Sequence, residues 1–586
     1  MYKPFATLAL LLLAPTVADA RRDDSKLAPT IVGTGMVSAA DPRAAAAGVE
    51  ILKAGGSATD AVIATMLALN VVEPQNSGIG GGSFLVHHDV RSNATTSFDG
   101  REAAPAAADA RWFYGPDGKP LSHNAAIPGG RSVGVPGNLR MMALAHKRYG
   151  VLPWPRLFAP AIKLAQLGFT VTPRLHNGLS NFGNRLDPAS HARFFPVANE
   201  PVAVGTILRN PDQAALFARI AKQGPDAFYK GPVAQRIVQA VNSSPRNPSK
   251  MTLADLGAYR AKERTPICGM YRVYKICGMG PPGSGGITVL MILKQLERFD
   301  MAGMGRNSPV AWHLFAESER LAYADRDLYL GDPDQVEIPT KGLLDPAYIA
   351  RRSALIAPDR TMPSVAAGTP LGAPRRQLAP NADVPGTSSL VAVDTRGNVA
   401  EVTTTIESYF GSGLSVDGVM LNNELTDFDF IPARDGYLVA NRVAGGKRPR
   451  SSMSPTIVYN PDGSVRIAIG AAGGSTIIAQ ISKALIAVLD WKMPAQDAIA
   501  LGLLYAPQQM AIAEQGTQLD AMVPALRALG EQVTIAPLGL KANAIERVGG
   551  RWIGAADPRS EGVAIGEDGR ITEIVRTGTL ASRPPE

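Results

Sequence analysis

Gly386-Thr387-Ser388-Ser389-Leu390-Val391-Ala392-Val393-Asp394 is the stretch whose chemistry sets the reading of this chain. A glycine–threonine bond stands before an apolar, strand-like run and after a long tract rich in Pro, Ala, Arg and Gly (358–386). Left intact, it is an ordinary loop dipeptide. Cut, it makes Thr387 a chain terminus, with a free α-amine beside its own hydroxyl. A threonine hydroxyl attacks poorly unless a base takes its proton, and an α-amine with a pKa of about 8 can be that base. One residue then carries both nucleophile and base.

Working outward, 586 residues suffice for a large core or several domains, and 45% hydrophobic with 19% charged residues are globular values. The net charge of +8 and pI near 9.3 come from scattered basic residues. There is no long Lys/Arg run and no basic patch interleaved with aromatics, so a nucleic-acid partner is not expected. Lys3, the apolar run Phe5 to Ala14 and Ala18-Asp19-Ala20 form an export signal over residues 1–20, with an uncleaved anchor as the alternative. The run is too short to span a bilayer, and no later segment approaches the length needed. The expectation is an exported product, periplasmic or secreted, with no stable membrane insertion.

The two cysteines, Cys268 and Cys277, flank a β-hairpin pattern. They are read either as a cross-strand disulfide in an oxidising compartment or as two free thiols. Without nearby histidines they do not make a zinc site. No metal or organic cofactor is indicated. Gly278-Met279-Gly280-Pro281-Pro282-Gly283 spells a dinucleotide fingerprint, but prolines stand where a helix must offer N–H groups, so it reads as a loop. His87-His88 reads as strand decoration.

The periodicity predicts helices from Pro42 to Gly55, Thr59 to Val72, Pro136 to Tyr149, Leu157 to Leu167, Ala214 to Gln223, Pro232 to Val241 and Val310 to Leu328. After Thr387 it predicts strands Leu390 to Val393, Val399 to Ile406, Pro455 to Tyr459 and Val465 to Ile469. Helices Ser475 to Leu489 and Leu519 to Leu529 follow, with strands Val533 to Ile535, Ile545 to Val548 and Gly562 to Ile565. Hairpin-connected strands with helices grouped apart suggest sheets packed between helical layers, and the tract 358–386 reads as exposed and mobile.

In this order and spacing, several blocks resemble the γ-glutamyltransferases, a branch of the N-terminal-nucleophile hydrolases. They are Gly386 to Ser389, Asn70 to Pro74 with Gly78 to Phe84, Asp99 to Pro105, Pro281 to Gly286 and Ala322 to Arg326. Asn422 to Phe428, Lys447 to Pro455 and Gly470 to Ser475 complete the set. The resemblance implies an α+β fold, a four-layer αββα sandwich. It implies self-cleavage at Gly386–Thr387 into a large chain (21–386) and a small chain (387–586) that stay together as one globular unit. Thr387 is then the nucleophile, Thr405 orients it, and Gly473 and Gly474 supply backbone N–H groups to an oxyanion. Arg101, Ser451 and Ser452 would hold the α-carboxylate of a γ-glutamyl donor, and Glu407, Glu424 and Asp427 its α-ammonium.

The partners implied are small γ-glutamyl donors such as glutathione, and water or amine acceptors. The alternative is a cephalosporin-acylase-like amidase for glutaryl-type groups, against which the three acids count, since a glutaryl group has no ammonium. Ser389 and Leu390 depart from the family's usual histidine and aromatic residue, and Ser388 from a common second threonine. The segment from Phe428 to Lys447 is also shorter than in members with a long lid.

Overall fold

The computed structural model describes residue 1 and residues 34–197, 199–378 and 386–572, so the leader read at 1–20 lies outside the described residues. Strands β1 (Met36–Ala39), β2 (Gly82–Asp89) and β3 (Ala94–Asp99) precede β4 (Lys262–Arg264). The hairpin of β5 (Ile267–Tyr271) and β6 (Tyr274–Gly278) comes next. Then follow β7 (Thr387–Val393), β8 (Val399–Thr405), β9 (Thr456–Tyr459) and β10 (Val465–Ala472). Strands β11 (Lys541–Val548), β12 (Arg551–Ala556) and β13 (Val563–Gly566) complete the core.

They form two antiparallel sheets, ordered β13-β1-β7-β8-β2-β3-β4 and β12-β11-β10-β9-β6-β5. Alternation along β7 sets the layers. Leu390 and Ala392 pack with helices α1 (Pro42–Lys53) and α2 (Ala58–Val72). Val391 and Val393 point the other way, into the core shared with the second sheet. That sheet is covered by α3 (Gly285–Leu296), α4 (Pro309–Tyr329) and α5 (Thr476–Leu489). The result is the αββα sandwich expected from the sequence.

Local chemistry starts the helices where the sequence marks them. The Asp41 carboxylate caps α1 by accepting from the Arg43 N–H, with Pro42 in the first turn. Ser57 and Asp60 form a capping box at α2, which is buried on every side.

Three expectations change. The helix read at Leu519 to Leu529 is a 3-10 turn, Asp520–Met522, followed by the short helix Val523–Ala528, because Pro524 fits only a first turn. The strand at Val533 to Ile535 belongs to a small separate sheet, parallel to Met510–Glu514, and not to the core. The tract before Thr387 is irregular, yet its described part is tied down. Met362 N–H donates to Glu317 at 2.8 Å, and Gly368 N–H to Asp325 at 2.7 Å.

Cys268 and Cys277 face each other across β5 and β6 and are joined as a disulfide, S–S 2.06 Å. The fingerprint-like glycines form the loop from β6 into α3, as read.

Candidate active site

Thr387 opens β7 directly opposite Thr405, the last residue of β8. Their hydroxyls lie 3.4 Å apart. Thr405 has a second and closer task. Its hydroxyl donates to the Gly386 carbonyl at 2.5 Å and accepts from the Glu407 N–H at 2.7 Å. The carbonyl that Thr387 would attack is thus already polarised by a fixed donor.

Gly386 is required by space. A β-carbon there would stand 2.0 Å from the Glu407 carbonyl oxygen. Gly386 does not take a positive φ; the left-handed backbone beside it is on Glu407, at φ 74°.

Eight of the residues read from sequence line one small cavity: Thr387, Thr405, Glu407, Glu424, Asp427, Ser451, Ser452 and Gly474. Met453 and Ile477 give it apolar walls. Gly473 and Gly474 take φ values of 130° and 61° at the turn from β10 into α5, a backbone path that side chains disfavour. Gly474 lines the cavity, and Gly473 is not among the lining residues.

Arg101 does not line the cavity. It is fully buried behind the wall, donating through Nη1 to Glu424 and through Nη2 to Asp427. The Pro449 and Arg450 carbonyls take two more of its N–H groups, at 3.1 and 3.0 Å. Burial works against its charge, but Glu424 and Asp427 outweigh burial and hold its pKa above the ordinary arginine value. The sequence reading put this fork on a ligand carboxylate; here it is engaged by the two acids read as its neighbours in the site.

Glu407 and Glu424 are costly to ionise. Burial pushes Glu407 well above the usual carboxylate range, and the charges of Asp427 and Glu424 add to the effect. One Glu407 oxygen accepts from Ser408 and Asn423, while Oε1 has no partner among the described residues. Burial also raises Glu424, with Arg101 opposing. Glu102 is raised well above its ordinary range by burial and then by Glu424. An ammonium entering the cavity would meet Glu407, whose Oε1 is an acceptor left over there. Among the described residues no cluster of His, Cys, Asp and Glu is arranged for a metal ion.

The sequence reading missed the layer around the nucleophile. Ser388 donates to Glu73 at 2.7 Å, and Lys541 lies 3.1 Å from Glu73 and 3.2 Å from Ser388. Burial lowers Lys541 to about 8, against the pull of Glu73. Glu73 stands in a matched block; Lys541, on β11, carries no sequence signal. Ser389 donates to Glu401 at 3.1 Å, as Thr403 does at 3.2 Å. Glu401 is fully buried and burial raises its pKa strongly. A β-carbon at Gly470 would stand 1.8 Å from Glu401, so the opposite sheet leaves room for this acid. Between Phe428 and Lys447, Ala433–Arg434 and Tyr437–Leu438 form a short hairpin with Tyr437 and Leu438 exposed.

Known proteins resemble this chain over most of its length. The sequence model described as gamma-glutamyltranspeptidase matches residues 44–567. The glutathione hydrolase proenzyme of Bacillus subtilis (strain 168) is 36% identical over 581 residues, covering 96% of this chain and 97% of that protein. The glutathione hydrolase proenzyme of Escherichia coli (strain K12) is 36% identical over 549 residues, covering 91% of each. Among solved structures, cephalosporin acylase from Bacillus halodurans superposes with a TM-score of 0.78 over 94% of this chain and 99% of that one. At 23% identity it speaks for the fold alone.

Proposed function

The chain belongs to the γ-glutamyltranspeptidase family, and from that premise we propose how it works as a self-processing γ-glutamyltransferase and glutathione hydrolase. The observation that carries the reading is the Thr405 hydroxyl on the Gly386 carbonyl, beside the Thr387 hydroxyl. Attack by Thr387 on that carbonyl converts the peptide bond to an ester, and water cleaves the ester. The products are a large chain, 21–386, and a small chain, 387–586, held in one unit.

The freed Thr387 α-amine takes the hydroxyl proton as the oxygen attacks a donor's γ-carbonyl. The oxyanion that forms is stabilised by backbone N–H groups at Gly473 and Gly474. The donor's amine leaves, and water or a second amine attacks the acyl-enzyme. The α-ammonium sits among Glu407, Glu424 and Asp427, and the α-carboxylate at Ser451 and Ser452. Arg101, behind the wall, holds Glu424 and Asp427 in place for that ammonium.

The acylase reading shares the fold. It has no use for three buried acids lining the pocket, because a glutaryl group brings no cation to them. Release of a chromogenic amine from a γ-glutamyl anilide and from its glutaryl analogue decides between them. The reading expects turnover of the first and little of the second; the reverse order would replace it with the amidase. Export to a periplasm or beyond is part of the proposal. It rests on the leader-like residues 1–20 and the Cys268–Cys277 disulfide. Among the described residues no helix is long and apolar enough to cross a membrane.

A further inference from the structure

Two matched blocks have no part in the site as described: Pro281 to Gly286, which leads into α3, and Ala322 to Arg326 in α4. They meet behind Ser451 and Ser452. Arg326 is 3% exposed. Its Nη2 donates to the Ser452 hydroxyl at 2.6 Å and its Nε to the Ser284 hydroxyl at 2.9 Å. Nη1 donates to Asp327 at 2.6 Å, which sets the plane of the guanidinium. Ser284 in turn donates to the Ser451 carbonyl twice, from its hydroxyl at 2.6 Å and its N–H at 2.8 Å. The Ser451 N–H closes the bracket on the Pro282 carbonyl at 3.0 Å. One planar fork therefore fixes both serines, Ser452 directly and Ser451 through Ser284.

The charge balance gives this bracket a purpose. Three carboxylates line the cavity, and Arg101 is engaged with two of them. Arg326 brings a positive charge into direct contact with a lining hydroxyl. An oxygen that accepts from a guanidinium has its own O–H polarised as a donor, suited to a carboxylate.

We infer that Arg326 is the positioning residue of the donor α-carboxylate subsite, fixing Ser451 and Ser452 and supplying positive charge there without touching the donor. The inference rests on the γ-glutamyl reading of the site.

The test compares the parent with Arg326→Met and Arg326→Lys on two donors. One is the γ-glutamyl anilide. The other is the 4-aminobutanoyl anilide, the same donor without its α-carboxylate. A denaturing gel first verifies that each variant matures into two chains. In Arg326→Met the KM for the γ-glutamyl donor should rise about tenfold or more, the scale of a lost charge-assisted hydrogen bond. The rise for the 4-aminobutanoyl donor should be several-fold smaller. Arg326→Lys keeps the charge but loses the fork, and should fall between parent and Arg326→Met. Equal losses on both donors, or no loss on either, would overturn the inference. Should neither arginine variant mature, Ser284→Ala removes one arm of the bracket and must show the same donor-dependent rise; an equal rise on both donors overturns it there too. A parent enzyme inactive on the γ-glutamyl anilide contradicts the site reading itself.

Discussion

At the scale of single residues, the two positions at the scissile bond are constrained by different forces. Gly386 is held by contact: the Glu407 carbonyl occupies the space a β-carbon would need. Gly386→Ala should therefore displace the scissile bond and leave most of the chain uncut on a denaturing gel. Thr405 is held by its hydrogen bond to Gly386. Thr405→Val keeps the shape and removes the donor, so self-cleavage should slow about a hundredfold, the scale of losing one oxyanion donor. Cleavage at the parental rate would remove Thr405 from that role. Arg101 carries two burdens at once. Arg101→Ala should raise the donor KM. It also leaves Glu424 and Asp427 buried without their cation, so unfolding should become easier by about 3–5 kcal/mol. A raised KM with unchanged thermal stability would contradict the ion pairs described here.

At the scale of elements, the sequence was legible wherever one force acts alone. Asp41-Pro42 and Ser57 mark helix starts by capping chemistry, and β7 and β8 show strand character because the chain between them turns tightly. It was less legible where tertiary packing decides. The run Gly285 to Leu296 is apolar and rich in β-branched residues, fit for a buried strand or a buried helix, and the layer beside it makes it α3. The site divides in the same way. Most of the cavity-lining residues stand in blocks that resemblance identifies; Thr405, Glu407 and Ile477 lie outside them. Lys541 and Glu401 reach the nucleophile's strand from β11 and β8, and only the register of the sheets reveals that.

Glu401 also gives this scale a pH signature. Its folded pKa is held above the ordinary glutamate value by burial. The stability it contributes is thus intact below the unfolded pKa, near 4.5, and is lost as pH rises from there toward the folded value. Glu401→Gln removes that loss, so its melting temperature should gain on the parent between pH 5 and pH 8. A difference that stays flat or shrinks over that window would show that Glu401 enters the folded state ionised.

At the scale of the whole molecule, the strand order explains how a cut chain stays whole. On the proposed cut, β7 and β8 belong to the small chain, yet they lie between β1 and β2 of the large one. In the second sheet β9 of the small chain pairs with β6 of the large chain. Each sheet is thus shared, and separating the chains means breaking hydrogen-bonded ladders and opening both hydrophobic cores. The mature protein should migrate as one species in native size-exclusion chromatography and as two only after denaturation.

The most direct measurement is the N-terminal residue of the smaller polypeptide in purified, active protein. The account predicts two chains, the smaller beginning at Thr387. A single unbroken chain that turns over γ-glutamyl donor at full rate, or a break at any other bond in active material, would contradict it.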